Sequence, residues 1–169
     1  MSDSDTTFPF NPVEIHARKH ALLCSIGFLI LLPIGALVPR YTRTLRYKWV
    51  PYHPTNKFWN LTFTTSSRWF HAHWPIQFLI AGPVIFAGCA LGHQTTSLLG
   101  DLHYNDPHQK IGLSLLILYV LQLSIGAFVH FFKFPSIFNG YRPPHSYFHV
   151  FFGLSIIILA QYQVCAAHK

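Results

Sequence analysis

Four histidines, His20, His73, His108 and His149, each stand at the N-terminal end of a long apolar run. His20 precedes Ala21–Val38 and His73 precedes Trp74–Leu91. Asp106-Pro107-His108-Gln109-Lys110 leads into Ile111–Phe132, and His149 sits two residues inside the run that starts at Tyr147. Imidazole is a borderline ligand that suits several transition metals. An ionisable group at membrane depth is costly and by default faces a partner inside the bundle. Four histidines recurring in one register therefore point to paired ligands.

The elements that must position them are the runs themselves. They contain no Asp, Glu, Lys or Arg over 18, 18, 22 and 21 residues, and about 20 apolar residues at about 1.5 Å each cross a hydrocarbon core about 30 Å thick. Consecutive spans run in opposite directions, so the first and third begin at one membrane face and the second and fourth at the other. His20 then faces His108, and His73 faces His149. Two imidazoles on opposite walls of a helical bundle can bind the iron of a haem lying between them. The prediction is an all-α membrane protein, an antiparallel four-helix transmembrane bundle holding two haems. A polar segment covers residues 1–14 and the core covers 15–169, with spans at about 15–38, 68–92, 107–132 and 144–167.

Composition supports this class. Hydrophobic residues make up 51% of the chain and charged residues 10%, against roughly 25% charged in soluble domains. The formal charge of +7 reads as membrane topology and not as nucleic-acid binding. Arg40, Arg43, Arg46, Lys48, Lys57, Arg68, Lys133 and Arg142 lie between the first two and last two spans, where there is no acid. Asp3, Asp5, Glu14, Asp101 and Asp106 lie on the other side. The positive-inside tendency makes the basic loops cytoplasmic and both termini extracytoplasmic, although Arg18 and Lys19 pull the other way. Cys24, Cys89 and Cys165 fall on separate spans with no CxxC or CxxCH, so the haem is expected to be non-covalent. Met1–Asn11 lacks a cleavable signal pattern, and the first span is expected to act as its own insertion signal.

Local signals refine the boundaries. Asn11-Pro12 reads as a helix start, with Glu14 reaching back to the cap. Pro33 is tolerable where neighbours satisfy the freed carbonyl, and Pro39 is expected to end the first span. Arg40–Ser67, carrying Trp49, Tyr52, Phe58 and Trp59, reads as a connection along the cytoplasmic interface. Ser66 or Ser67 caps the second helix, in which only one of His71 and His73 can point inward. His93–Asp106 reads as a loop, and Asp106-Pro107 caps the third helix. Gly112 and Gly153 sit one turn below His108 and His149, where a porphyrin edge needs the absence of a side chain; close helix packing would use them equally well. His130 lies about 40° from His108 on one helix face and is a rival ligand or propionate partner for the cytoplasmic-side haem. His16 and His145 share faces with His20 and His149 nearer water, while His53, His93, His103 and His168 read as solvated.

These residues also carry a likeness. His20 with Leu32-Pro33-Ile34-Gly35-Ala36-Leu37-Val38-Pro39-Arg40-Tyr41, Trp69-Phe70-x-x-His73-x-x-x-Gln77, Asp106-x-His108-Gln109-Lys110-Ile111-Gly112 and Tyr147-Phe148-His149-x-x-x-Gly153 resemble the eukaryotic cytochrome b561 family, particularly its fungal b561-domain members, over about residues 15–167. The resemblance implies two b-type haems, one held by His20 and His108 on the non-cytoplasmic side and one by His73 and His149 on the cytoplasmic side. It implies a transmembrane oxidoreductase of the ascorbate-dependent or ferric reductase type, moving electrons from cytoplasmic ascorbate to monodehydroascorbate or a ferric chelate outside. Arg40, Tyr41 and Arg43 resemble in kind the basic, tyrosine-containing donor motif of the family. The expected partners are this small-molecule donor and acceptor and the lipid bilayer, with a homodimer as the candidate assembly. Two other classes compete: a quinol-linked cytochrome b subunit of a larger complex, marked by a single haem, and a non-catalytic membrane anchor, marked by none.

Overall fold

The apolar runs form four long helices. The computed structural model describes residues 11–49, 72–132 and 144–166, with side chains to residue 41 in the first stretch; Ser66, Ser67, His53, His71 and His168 lie outside the described residues. Helix α1 (Pro12–Ser25) passes through a π-helical turn, Ile26–Leu31, into α2 (Leu32–Trp49). A second π-helical stretch, Pro75–Ala81, leads into α3 (Gly82–Leu99), followed by α4 (Pro107–Phe131) and α5 (Pro144–Ala166). Among the described residues, four segments are long and apolar enough to cross a membrane: Pro12–Tyr41, Ala72–Leu99, Pro107–Phe131 and Pro144–Ala166. We refer to these as the first to fourth spans.

Proline explains several departures from regular α-helix. Both π-helical stretches end two residues before a proline, Pro33 in one case and Pro83 in the other. A proline has no N–H for the carbonyl one turn earlier, and its ring crowds that carbonyl. A widened turn just upstream is one way to accommodate it. Pro39 does not end the first helix as its sequence suggests; it lies inside α2, which runs on to Trp49. The carbonyl that Pro39 leaves without its helical donor is that of Gly35, and His73 Nδ1 takes it at 2.7 Å. A neighbouring span thus replaces the missing bond, which is the condition for proline inside a membrane helix.

The second span also outruns its expected end at residue 92. Thr95, Thr96 and Ser97 donate their hydroxyls to Leu91 O, Gly92 O and His93 O, so the polar stretch stays helical instead of competing with the backbone. The helix stops at Gly100, whose φ of +71° is left-handed. Its N–H bonds Ser97 O, and that of Asp101 bonds Thr96 O, closing the end as glycine caps do. The link to α4 is consequently short. Asp106 Oδ1 accepts from His108 N at 2.6 Å and Gln109 N at 3.2 Å, the cap its sequence predicts. Asn11 Oδ1 likewise accepts from Val13 N. Glu14, however, turns outward to Arg18 at 2.6 Å instead of reaching back to the cap.

Contacts between helix ends establish the antiparallel order. The start of the first span meets the end of the second, through His20 and Gly88. The start of the second meets the first at Gly35. The start of the third meets the end of the fourth, through His108 and Gln163. The small core between them holds Phe28, Leu32, Ala81, Ile85, Leu115, Tyr119, Ile156 and Ala160. Outward residues such as Ile30, Leu37, Phe78, Ile117, Phe151 and Ile158 are exposed on the protein, as suits a surface solvated by acyl chains. Lipid gives apolar helix faces no hydrophobic reason to associate, so close packing must do so. At Gly27 the approach is tight enough that a Cβ would lie 2.5 Å from Ile85 Cγ1.

Candidate functional site

The four histidines meet in two pairs, at opposite ends of the bundle. The His20 and His108 ring centres are 6.1 Å apart with planes at 83°. Those of His73 and His149 are 6.2 Å apart at 88°. Fifteen residues separate His20 from Gly35, the residue that His73 reaches, and fifteen separate His73 from Gly88, which His20 reaches. The two levels are therefore about 20 Å apart along the helices.

Backbone carbonyls fix the tautomer of two of these rings. His20 Nδ1 donates to Gly88 O and His73 Nδ1 to Gly35 O, both at 2.7 Å. A carbonyl only accepts, so Nδ1 carries the proton and Nε2 keeps its lone pair, the arrangement found behind metal-bound histidines. The first two spans thus hold each other's histidine reciprocally. His20 also lies against Gly92, where a Cβ would be 2.7 Å from Cε1 and Nδ1.

Glutamines serve the other two histidines. Gln163, buried in the fourth span, places Nε2 2.7 Å from both His108 Nδ1 and His108 O. The two N–H groups of one amide thus reach the ring and the backbone of His108 together, tying both to the fourth span. Gln122 Nε2 donates to His149 O at 2.8 Å. His149 Nδ1 and Gln122 Oε1 are both buried without a partner, a donor and an acceptor complementary in kind. His149 also lies on Gly126, where a Cβ would be 3.0 Å from its Cε1. Sequence reading passed over Gln122 and Gln163; their signal was an amide inside an otherwise apolar run, where a polar group needs an assigned partner.

The remaining candidates fall as follows. A Cβ on Gly112 would meet nothing within 4 Å, whereas one on Gly153 would meet Gln122 Nε2 at 2.5 Å; Gly153 admits the amide that bonds the His149 backbone. The His130 ring lies against Phe131 and His145 edge-on to Phe128. His16 Nδ1 bonds Pro12 O within its own helix. His93 and His103 stack with centres 3.9 Å apart, beside a surface cavity of about 380 Å³ lined by Gly100, Asp101, Leu102, Asn105, Asp106 and Gln109. Arg40 and Tyr41 are exposed, past the His73 level; the Arg43 side chain lies outside the described residues.

This geometry can be tested against a metal cofactor. Two imidazoles on one metal, at about 2 Å per nitrogen with each ring centre about 1 Å behind it, stand about 6 Å apart. Both pairs meet that spacing. Among the described residues no group of three or more His, Cys, Asp or Glu could hold an ion. Two-imidazole sites suit a metal whose other positions a macrocycle fills. The residues fit haem.

The fold and the facing histidines define a multi-pass, four-helix membrane protein with the ligand pattern of a haem protein. A sequence model of the eukaryotic cytochrome b561 family matches residues 19–168. The chain belongs to that family, and so to a class of transmembrane oxidoreductases that bind b-type haem and transfer electrons across membranes. No curated protein and no solved structure matches it.

One expected result follows directly from the packing. Gly92→Val places carbon where the His20 ring lies, so the ring must leave its position opposite His108. Bound haem is expected to fall, and a pyridine haemochrome assay against protein concentration checks this.

Proposed function

We propose that the chain carries electrons across a membrane between two bis-histidine b-type haems, one held by His20 and His108 and the other by His73 and His149. The observation that carries this reading is the double 6 Å spacing, with Nδ1 of His20 and His73 tied to carbonyls and Nε2 left to ligate. Held by the two imidazoles of a pair, haem iron would supply a one-electron couple and would favour electron transfer over O₂ binding.

The protein's own part is positioning and selection. Gly112 leaves room for a macrocycle edge below His108, and Gly153 with Gln122 steadies the backbone of His149. Arg40, Tyr41 and Arg43 lie past the His73 end of the first span and offer positive charge and a hydroxyl to an anionic, ascorbate-like donor on the cytoplasmic side. At the His108 end there is a surface cavity lined by Asp101, Asp106 and Gln109, and this reading brings the extracytoplasmic acceptor, monodehydroascorbate or a ferric chelate, to that end. Both termini then lie outside, in keeping with the basic loops.

The decisive measurements are stoichiometry and direction. Purified protein is expected to hold two haems per chain, with sharp reduced b-type bands. Reconstituted in vesicles loaded with ascorbate, it is expected to reduce external ferric chelate, and Arg40→Glu is expected to slow reduction of the haems by ascorbate. A single haem reducible only by quinol would instead support a subunit of a larger complex, and a colourless folded chain would support an anchor.

A further inference from the structure

Gln77, in the second span, hydrogen-bonds to two other spans at once. Its Nε2 donates to Leu32 O of the first span at 3.1 Å, and its backbone carbonyl accepts from the Tyr119 hydroxyl of the third. Two glycines make room for these contacts. A Cβ on Gly35 would lie 2.6 Å from Gln77 Nε2, and one on Gly82 would lie 3.2 Å from the Tyr119 oxygen. The amide oxygen Oε1 is buried without a partner. An unpaired buried acceptor is costly, so what the side-chain amide contributes at this depth is the bond that its Nε2 makes.

The place of Gln77 in the chain gives that bond a use. Gln77 follows His73 by about one helical turn, and Leu32 precedes Gly35 by about one turn on the first span. The bond of His73 Nδ1 to Gly35 O at 2.7 Å and that of Gln77 Nε2 to Leu32 O are therefore two rungs between the same two antiparallel helices. The rung at His73 alone would let the second span roll about it, and the second rung fixes the rotation. The helix supplies little of its own stiffness here. Pro75–Ala81 is π-helical, and Pro83 offers no N–H to the turn before it.

The geometry points to Gln77 as a positioning residue for the His73 and His149 pair. Its bond to Leu32 O sets the rotation of the second span at which the His73 ring stands 6.2 Å from that of His149, with the planes at 88°. The inference rests on the reading that this pair shares one haem. The same rotation keeps His73 Nδ1 on Gly35 O, and a hydrogen bond on the far nitrogen raises the basicity of the one that ligates. Gln77 thus acts through His73, on its orientation and on its strength as a ligand.

The test places Gln77→Met, which keeps the length of the side chain and removes its N–H donors, in two full-length backgrounds. His108→Ala is expected to hold only the His73 and His149 haem, and His149→Ala only the other. Haem per chain, midpoint potential and the low-spin EPR signal, which follows the angle between the axial ring planes, are measured on the purified proteins. In the His108→Ala background Gln77→Met is expected to raise the potential and shift the EPR signal, and in the His149→Ala background to change neither. Loss of haem from the first background alone supports the proposal equally. No change in the first background overturns it, as does an equal change or loss in both, which a general loosening of the bundle would produce. Where Gln77→Met fails to fold, Gly35→Ala decides by the same readouts, because its added Cβ displaces the amide from Leu32 O while the glutamine stays in place. If the two backgrounds do not hold one haem each, the pairing fails and this inference with it. If they do and Gln77→Met changes nothing, the positioning role fails alone.

Discussion

His108→Ala is expected to halve the haem content, from two per chain to one, with helix content unchanged. The ring it removes is one of two facing imidazoles 6.1 Å apart at one end of the bundle. The His73 and His149 pair lies about 20 Å away and keeps its own contacts. His16→Ala, at the same end, is expected to keep both haems, because its Nδ1 is engaged with Pro12 O in its own helix. Gln163→Leu should act in the same direction as His108→Ala but less completely. Loss of a hydrogen bond behind a metal-bound histidine typically costs 10–100-fold in affinity, on the order of 1–3 kcal/mol. Haemochrome titration and the amplitude of the reduced bands measure both effects. Two haems retained in His108→Ala would mean that another histidine serves that end, which would falsify the pairing.

Tyr119→Ala is expected to lower stability more than any other single change in the core. Tyr119 is 1% exposed and is one of the two largest fully buried side chains among the described residues. It sits edge-on to Phe28 at 6.5 Å and Phe86 at 6.4 Å, and its hydroxyl donates to Gln77 O. Truncating a buried aromatic costs about 3–5 kcal/mol through lost contacts and the cavity left behind. In a bilayer the surrounding helices associate mainly through packing, so a void strikes at their chief attraction. Tyr119→Phe removes only the hydroxyl and its bond, about 1 kcal/mol. Thermal unfolding in detergent separates the two: a large fall in Tm for alanine and a small one for phenylalanine. Equal falls would show that the hydrogen bond outweighs the packing.

Two corrections show where local rules reach their limit. Pro39 reads as a helix terminator because its ring and missing N–H disrupt the turn behind it. It sits inside α2 because His73, on another span, supplies the donor that Gly35 O lacks. Thr95, Thr96 and Ser97 fall in His93–Asp106, which reads as an external loop because it has no Lys or Arg and carries Asp101, Asn105 and Asp106. In the fold the three hydroxyls bond carbonyls of their own helix, and the span runs on until Gly100 provides a left-handed end. In both cases a hydrogen-bond partner one turn or one helix away decided the outcome.

The sequence by itself determined the four spans, the histidine near the start of each, and the pairing of first with third and second with fourth. Bilayer thickness and up-and-down threading leave little freedom once the apolar runs are counted. Only the tertiary structure decided which atom holds each imidazole: Gly88 O for His20, Gly35 O for His73, Gln163 for His108. These contacts depend on how far each helix is rotated about its axis, and the π-helical turns before Pro33 and Pro83 change that rotation partway along two spans. Periodicity within a segment reports which residues share a face of that helix, while the residue opposite is set by the packing of one helix against another.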